Sequence, residues 1–134
     1  MKRDMDLVRN LLLGIEERDR GDGNWTSFGD LTLPEGTETP EPMVQEHLRL
    51  LLEAGLIEAM VDNTWSSRAV RPIRLTWAGH DFLAAIRDEG VWSSTKEAVG
   101  KVGGTAALET WRAAATALTT AAVTAGLAAV RGGA

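Results

Sequence analysis

The sequence predicts a mainly helical chain that carries one small β-hairpin, an α+β fold class. Apolar residues recur at three- and four-residue steps in several segments, which is the period of one face of an α-helix. Between two of these segments, a strand-like run returns after an arginine-containing turn. The chain has 134 residues, which is enough for one domain with an apolar core and an additional helical arm.

The first helix is predicted over residues 4–19, where the apolar positions from Met5 to Ile15 follow the helical period. The turn residues of "RGDGN" then end it. The next segment, residues 24–33, fits either a strand or a short irregular helix, and its residues leave both open. A proline-containing loop leads from there to the second helix.

The second helix is predicted from about Glu41 to Ala54. Thr39 is its expected N-cap, and Pro40 suits the first turn because its missing N–H would have no helical partner there. Gly55 is expected to end the helix, since glycine adopts the left-handed conformation at little cost. The stripe expected in the core consists of Val44, Leu48, Leu51, Leu52 and Leu56.

A hairpin and further helices follow. The runs "LIEAMV" and "IRLTW" predict two strands around the turn "DNTWSSRAVRP", and Trp77 is expected in the core. Thr76 is the expected cap of the next helix. Another helix is expected to begin near Ser93 or Ser94, and the last, Ala-rich helix near Thr105.

The pattern predicts a first domain over residues 1–90 and a helical extension over residues 91–134. Residues 113–130 carry no charge and reach the lower length limit of a membrane span. Most of them are alanine or threonine, which favours a helix that packs closely on another helix. We therefore expect no membrane contact and a homodimer formed through this C-terminal helix.

The predicted order of helices and strands is that of a winged helix-turn-helix domain, and "LRLLLEAGLIEA" followed by "RLTWAGHDFLAAI" is similar to many such domains. Together with "MKRDMDLVRNLLLGIEE" and the longer phrase "RLTWAGHDFLAAIRDEGVWSSTKE", the chain resembles a family of small uncharacterised bacterial and prophage proteins, a domain of unknown function. The resemblance covers roughly residues 1–104. It implies a winged-helix-like core and a phage or mobile-element setting, but no activity.

The first functional hypothesis is a phage-associated transcriptional regulator that binds double-stranded DNA. In a winged helix, the polar face of the helix before the hairpin meets base edges, where Arg49 would contact guanine and Gln45 adenine. The arginines of the hairpin, Arg68, Arg71 and Arg74, would contact the DNA backbone. His47 is expected beside this face as a further phosphate contact.

The alternative hypothesis is a protein-interaction module that has lost DNA binding, for instance an inhibitor or adaptor of a host or defence protein. Residues 21–63 carry nine acidic groups and one basic group, Arg49, which opposes the neutralisation of phosphates. The acidic helix would then imitate the charge of nucleic acid. Trp65, in the hairpin turn, is the expected anchor for a partner, because buried aromatic side chains dominate interface energies.

The residues do not indicate an enzyme. The chain has no cysteine, and its two histidines, His47 and His80, lie on separate predicted helices without metal-ligand spacing. The His–Asp neighbours in "GHD" lack a third group that would orient a base, and "GKVGGT" lacks the spacing of a phosphate-binding loop. We expect neither cofactor nor metal. The N-terminus has no apolar signal core, which favours a cytoplasmic location.

Overall fold

The computed structural model describes residues 1–19, 21, 39–65, 68–102 and 107–132. In chain order, the helices and strands within these ranges are α1 (Met5–Arg18), α2 (Glu41–Glu53), β1 (Ile57–Asn63), β2 (Arg68–Leu75), α3 (Trp77–Ile86), α4 (Glu89–Val102) and α5 (Leu108–Gly132). The predicted α+β class, mainly helical with one antiparallel hairpin, is confirmed. The predicted winged-helix topology stays a prediction, and the segment 24–33 lies outside the described residues.

The chain divides into two compact units, Met1–Leu83 and Ala84–Ala134. The domain division predicted after residue 90 falls within the first turn of α4 and stays a prediction. Each unit has its own buried residues and is described separately below.

The first unit is built on α1 and α2, which pack against each other and against the hairpin. Helix α1 begins where predicted, because the Asp4 carboxylate accepts the backbone N–H groups of Asp6 and Leu7 at 3.0 and 3.1 Å. Its apolar stripe is buried, as the helical period predicts. The buried apolar residues of the unit are Met5, Leu7, Val8, Leu11, Leu12, Ile15, Val44, Leu48, Leu51, Leu56, Ile57, Val70, Leu75, Phe82 and Leu83.

Helix α2 is found close to its predicted bounds, but its predicted cap is wrong. Pro40 rather than Thr39 occupies the N-cap, and it has no side chain that can accept a hydrogen bond. The physical reason lies in the first turn. Pro42 has no N–H, and the N–H of Met43 already donates to the Pro40 carbonyl at 3.0 Å. A capping side chain would therefore find few free N–H groups in the first turn.

A backbone hydrogen bond connects the residues that follow α2 to the residue that precedes α3. Gly55 ends α2 with a φ of 74°, as predicted for a left-handed residue. The N–H of Thr76 donates to the Leu56 carbonyl at 3.0 Å. The Thr76 hydroxyl in turn accepts the N–H of Gly79 at 3.1 Å, which confirms Thr76 as the cap of α3.

Trp77 is not part of the core, and the prediction that placed it there is wrong. Its side chain is 84 % exposed. Strand β2 ends at Leu75, and Trp77 is the first residue of α3, so the alternation of the strand no longer decides which way its side chain points. The buried residues of α3 instead follow the helical period, with Phe82 and Leu83 in the core.

The second unit contains α4 and α5, which pack against each other. Helix α4 begins at Glu89, earlier than the predicted start near Ser93 or Ser94, because the Asp88 carboxylate accepts the N–H of Val91 at 2.8 Å. The rings of Trp92 and Trp111 join the two helices, with their centroids 5.3 Å apart.

The start predicted for the last helix at Thr105 lies outside the described residues. Among the helices that the structure does describe, α5 included, none combines the length and apolar character that a membrane crossing requires.

Candidate interaction surface on the hairpin

The register of the hairpin sorts its side chains onto two faces. Ile57 pairs with Leu75 and Val61 with Val70, and this face carries the buried residues Ile57, Val70 and Leu75. The opposite face, which we call the outer face, carries Glu58, Met60, Asp62, Arg71 and Arg74. All five are exposed, so the outer face is the part of the hairpin that a partner can reach.

A register shift between Glu58 and Ala59 decides which arginines share the outer face. The shift leaves Ile73 without a direct partner on β1. Arg71 and Arg74 are three residues apart, so in a regular strand they would point to opposite faces. With the extra residue between them, they pair with Met60 and Glu58 on the same face.

Both outer-face arginines form ion pairs across the hairpin. Arg74 donates from Nε and Nη2 to the two carboxylate oxygens of Glu58, each at 2.9 Å, and this hydrogen-bonded pairing with Glu58 raises the pKa of Arg74. Arg71 Nε lies 2.9 Å from Asp62 Oδ2. The outer face therefore balances two positive charges with two negative charges and is not a basic surface.

Exposed apolar side chains lie along β1 and just beyond its end. Met60 and Val61 are 45 and 44 % exposed, and Trp65, in the connection to β2, has a relative exposure of 108 %. The sequence singled out Trp65 as a partner anchor, and the structure places it where a partner can bury it. That any partner binds there stays a prediction.

Gln45, predicted to read adenine, holds the hairpin on α2. Its side-chain oxygen accepts the N–H of Val70 at 2.8 Å, and its side-chain nitrogen donates to Glu41 at 3.1 Å. Arg49, predicted to read guanine, lies one turn further along and forms an ion pair of 3.2 Å with Glu46. Both residues thus have internal partners in this structure.

The structure does not bring the five predicted DNA contacts together as one basic patch. Arg71 and Arg74 share the outer face, whereas Gln45 bonds β2 along its edge. Arg68 pairs with Asn63 at the far end of the hairpin. Whether any of them touches DNA stays a prediction.

His47 is buried at 0 % exposure, so the expected phosphate contact is wrong. The N–H of Asp4 donates to His47 Nε2 at 2.8 Å, so this nitrogen carries no proton. The other ring nitrogen, Nδ1, then donates to the Met43 carbonyl at 2.8 Å. His47 faces the core because α1 packs on this side of α2, and its ring joins the start of α1 to the first turn of α2.

Arg18 is a hairpin contact that the sequence did not indicate. Its Nη2 donates to the Pro72 carbonyl at 2.7 Å, from the last turn of α1. Partial burial lowers the pKa of this guanidinium. A single basic residue at a helix C-terminus is ordinary for the helix dipole, so no pattern pointed to the hairpin.

No group of three or more histidine or acidic side chains that could hold a metal ion occurs in the described parts of the chain. That the protein has no enzyme activity stays an expectation from the sequence.

Comparison with known proteins identifies relatives over most of the chain. Residues 2–106 match the model of a family described as "Hypothetical protein (DUF2513)". An uncharacterized protein of Haemophilus influenzae is 36 % identical over 100 residues, which cover 74 % of this chain and 79 % of that protein. No solved structure matches the chain significantly. The matched residues nearly coincide with the range 1–104 over which the sequence resembles a family.

Proposed function

The chain belongs to the DUF2513 family, and we propose that its first unit, Met1–Leu83, is a non-enzymatic protein-interaction module that binds a partner through the hairpin. The observation that carries this proposal is the position of Trp65, with a relative exposure of 108 % directly beyond the end of β1. Burial of an exposed indole by a partner contributes several kcal/mol, roughly 3–5, to the free energy of binding. Met60 and Val61 add exposed apolar side chains nearby, one on each face of β1.

The polar contacts of the unit also support a protein partner over DNA. DNA affinity comes largely from cations that neutralise phosphates, and the two outer-face arginines already pair with Glu58 and Asp62. To contact phosphates, the two arginines would first have to break these ion pairs. The net electrostatic gain would therefore be smaller than for unpaired arginines. The acidic groups of α2 add repulsion toward a nucleic acid.

The family resemblance suggests the setting. In a phage or prophage, a small protein of this kind would act as an inhibitor or adaptor of a host or defence protein. The carboxylates of α2, with Glu41 and Glu46 among them, would present to a nucleic-acid-binding partner the charge of the ligand it normally binds.

The test is capture of partners by the full-length protein from a nuclease-treated extract of a bacterial host. The wild type is compared with Trp65→Ala and with Trp77→Ala, which removes the other exposed tryptophan among the described residues of the unit. We expect a partner that the wild type and Trp77→Ala retain and that Trp65→Ala loses. Circular dichroism must show all three folded. Capture of the same proteins by Trp65→Ala would contradict the proposal.

DNA binding as a transcriptional regulator is the second candidate, and one observation favours it. Helix α2 is followed directly by an arginine-carrying antiparallel hairpin, the arrangement in which a recognition helix precedes a wing. In this candidate, Arg49 and Gln45 would exchange their internal partners for base edges. Arg68, Arg71 and Arg74 would meet the backbone.

A salt series separates the two candidates. Binding to mixed short duplexes is measured from low to high salt for the wild type and for the triple change Arg68→Ala, Arg71→Ala and Arg74→Ala. A DNA-binding wing predicts steep salt dependence in the wild type and a slope that falls by up to about three in the variant, one for each lost phosphate contact. No binding at low salt would exclude this candidate.

We also propose a homodimer through α5. Val123 and Leu127 are 57 and 55 % exposed and lie four residues apart, on one face of the helix. A double change to glutamate at these positions is expected to yield a monomer in size-exclusion chromatography with light scattering. The control is the double variant Val123→Leu and Leu127→Ile, which keeps both positions apolar and should remain dimeric. A glutamate variant that stays dimeric would contradict the proposal.

A further inference from the structure

The two edges of the hairpin differ in their hydrogen bonding. Along the outer edge of β2, the N–H of Val70 donates to Gln45, and the carbonyl of Pro72 accepts from Arg18. Pro72 has no N–H to offer. Side chains from α2 and α1 thus satisfy this edge, and no further strand can bond to these groups.

Among the residues that the structure describes, none forms a hydrogen bond to the outer edge of β1 at Ala59 or Val61. Because the N–H of Val70 points away from β1, the pair Val61 and Val70 is the kind that forms no mutual backbone hydrogen bonds. The N–H and carbonyl of Val61 therefore point away from β2, and so do those of Ala59, two residues earlier. Within the described parts of the chain, the two N–H groups have no acceptor and the two carbonyls have no donor.

We propose that the outer edge of β1 accepts an extended strand of a partner protein in which basic and apolar side chains alternate. The proposal rests on the proposed interaction function and specifies how the partner binds. Backbone groups of Ala59 and Val61 would bond to the added strand, which makes a three-stranded sheet with β1 in the centre.

The side chains beside this edge decide the chemistry of the added strand. Glu58 and Asp62 lie on the outer face with side chains 49 and 48 % exposed, and each binds an arginine on the β2 side. A carboxylate accepts several hydrogen bonds, so each can bind a second cation from the side of the open edge. The opposite face offers the exposed Val61 to an apolar side chain.

Charge excludes a second copy of β1 as the occupant. Two antiparallel copies whose outward groups bond to each other bring Glu58 and Asp62 of one chain beside the same residues of the other on one face. Centred on Met60, this pairing places Glu58 directly opposite Asp62; centred on Val61, the carboxylates become diagonal neighbours. A strand with basic residues at these positions replaces this repulsion with attraction.

The probe is an eight-residue synthetic peptide in which lysine and valine alternate, with a glutamate–valine peptide as the charge control. Full-length, isotope-labelled protein is titrated, and amide hydrogen exchange is followed residue by residue. We expect the lysine peptide to bind and to slow exchange at Ala59 and Val61 by about tenfold or more, while the glutamate peptide does neither. No binding of the lysine peptide, or binding without protection of these two amides, would overturn the proposal.

Variants at the edge separate strand addition from general charge attraction. Val61→Pro removes one outward N–H and leaves the β1–β2 hydrogen bonds in place, and it should weaken peptide binding about tenfold. Val61→Thr keeps the N–H and should bind like the wild type. Equal binding by Val61→Pro would overturn strand addition.

A second pair of variants does not touch the backbone. Met60→Lys places a cation between Glu58 and Asp62 and should weaken binding of the lysine peptide, whereas Met60→Gln should not. Identical binding by these two variants would contradict the assigned role of the carboxylates. Because Met60 is exposed, neither change disturbs the core.

The partner-capture experiment distinguishes failure of this proposal from failure of the proposed function. A partner that Val61→Pro retains and Trp65→Ala loses would overturn strand addition and leave the interaction function standing. A partner lost by both variants supports both. Partners retained by both would overturn both.

Discussion

The side chain of Gln45 forms the hydrogen bond that attaches α2 to β2: its oxygen accepts the N–H of Val70 at 2.8 Å. Gln45 therefore supports the hairpin in the free protein, and whether it also contacts a base stays a prediction. Through this bond it also closes one edge of the two-stranded sheet, whereas the edge of β1 at Ala59 and Val61 has no hydrogen-bond partner among the described residues.

Gln45→Ala is expected to lower the free energy of unfolding by about 1 kcal/mol, because the partly buried N–H of Val70 loses its acceptor. Glu46→Ala, at the neighbouring half-exposed residue of α2, is the matched control and should stay within about 0.5 kcal/mol of the wild type. Urea unfolding followed by circular dichroism measures both. Equal effects of the two changes would show that the bond to Val70 does not support the hairpin.

Gly79→Ala is expected to destabilise the first unit by at least about 2 kcal/mol. A methyl group on Gly79 would overlap the backbone carbonyl oxygen of Leu56, and backbone cannot rotate aside as a side chain can. Gly100→Ala is the contrasting change, since Gly100 lies inside α4 with open space around it. That change should raise stability by about 0.5–1 kcal/mol through helix propensity.

Thermal unfolding checks the two glycine changes side by side. The expected result is opposite signs for the same chemical change at the two positions. A neutral Gly79→Ala would mean that α3 shifts freely away from Leu56.

His47→Ala is expected to cost about 2–4 kcal/mol. It removes a fully buried ring, leaves the N–H of Asp4 without its acceptor and removes the ring's hydrogen bond to the carbonyl of Met43. His80→Ala, at the exposed histidine of α3, should change stability by less than about 0.5 kcal/mol. Denaturant midpoints of the two variants test this difference. Similar midpoints would show that His47 does not join α1 to α2.

The ion pairs of the outer face are expected to contribute little to folding, because both partners of each pair remain about half exposed to water. Arg71→Ala and Arg74→Ala should therefore leave the urea midpoint nearly unchanged, and any small effect should vanish at high salt. This outcome makes both changes clean probes for DNA binding. A large loss of stability would reveal that the pairs hold the hairpin together.

Trp111→Ala is expected to loosen the second unit by about 3 kcal/mol, because Trp92 loses the aromatic partner whose centroid lies 5.3 Å away. Trp111→Phe keeps an aromatic ring and should lose less than half as much. Amide hydrogen exchange in α5 reports the effect locally. Unchanged exchange in Trp111→Ala would show that α4 and α5 are held by other contacts.

Local chemistry along the chain was sufficient to predict most of the helices and strands. The apolar period of α1, the left-handed Gly55 after α2 and the Thr76 cap of α3 each depend on neighbours within about four residues. The family resemblance likewise depends only on the order of residues, and it was confirmed over nearly the range predicted.

The predictions for Trp77 and His47 were wrong because their burial depends on residues that are distant in sequence. Trp77 alternates correctly for a strand, but α3 begins at this residue, held by the bond from Thr76 to the Leu56 carbonyl. His47 sits at a helix position that faces α1, and its partner, Asp4, is more than 40 residues away. A periodic pattern on one segment contains no information about which element will cover it.

The candidate surface shows the same division. The sequence predicted a hairpin with arginines and a tryptophan near its turn, because strands and turns are recognised from short stretches of neighbouring residues. Only the pairing of β1 with β2 placed Arg71 and Arg74 on one face, through the register shift, and matched them with Asp62 and Glu58. Only packing on α1 and α2 closed the edge of β2, because each hydrogen bond there joins residues far apart in the chain. The described residues add no such bond to the central part of the β1 edge.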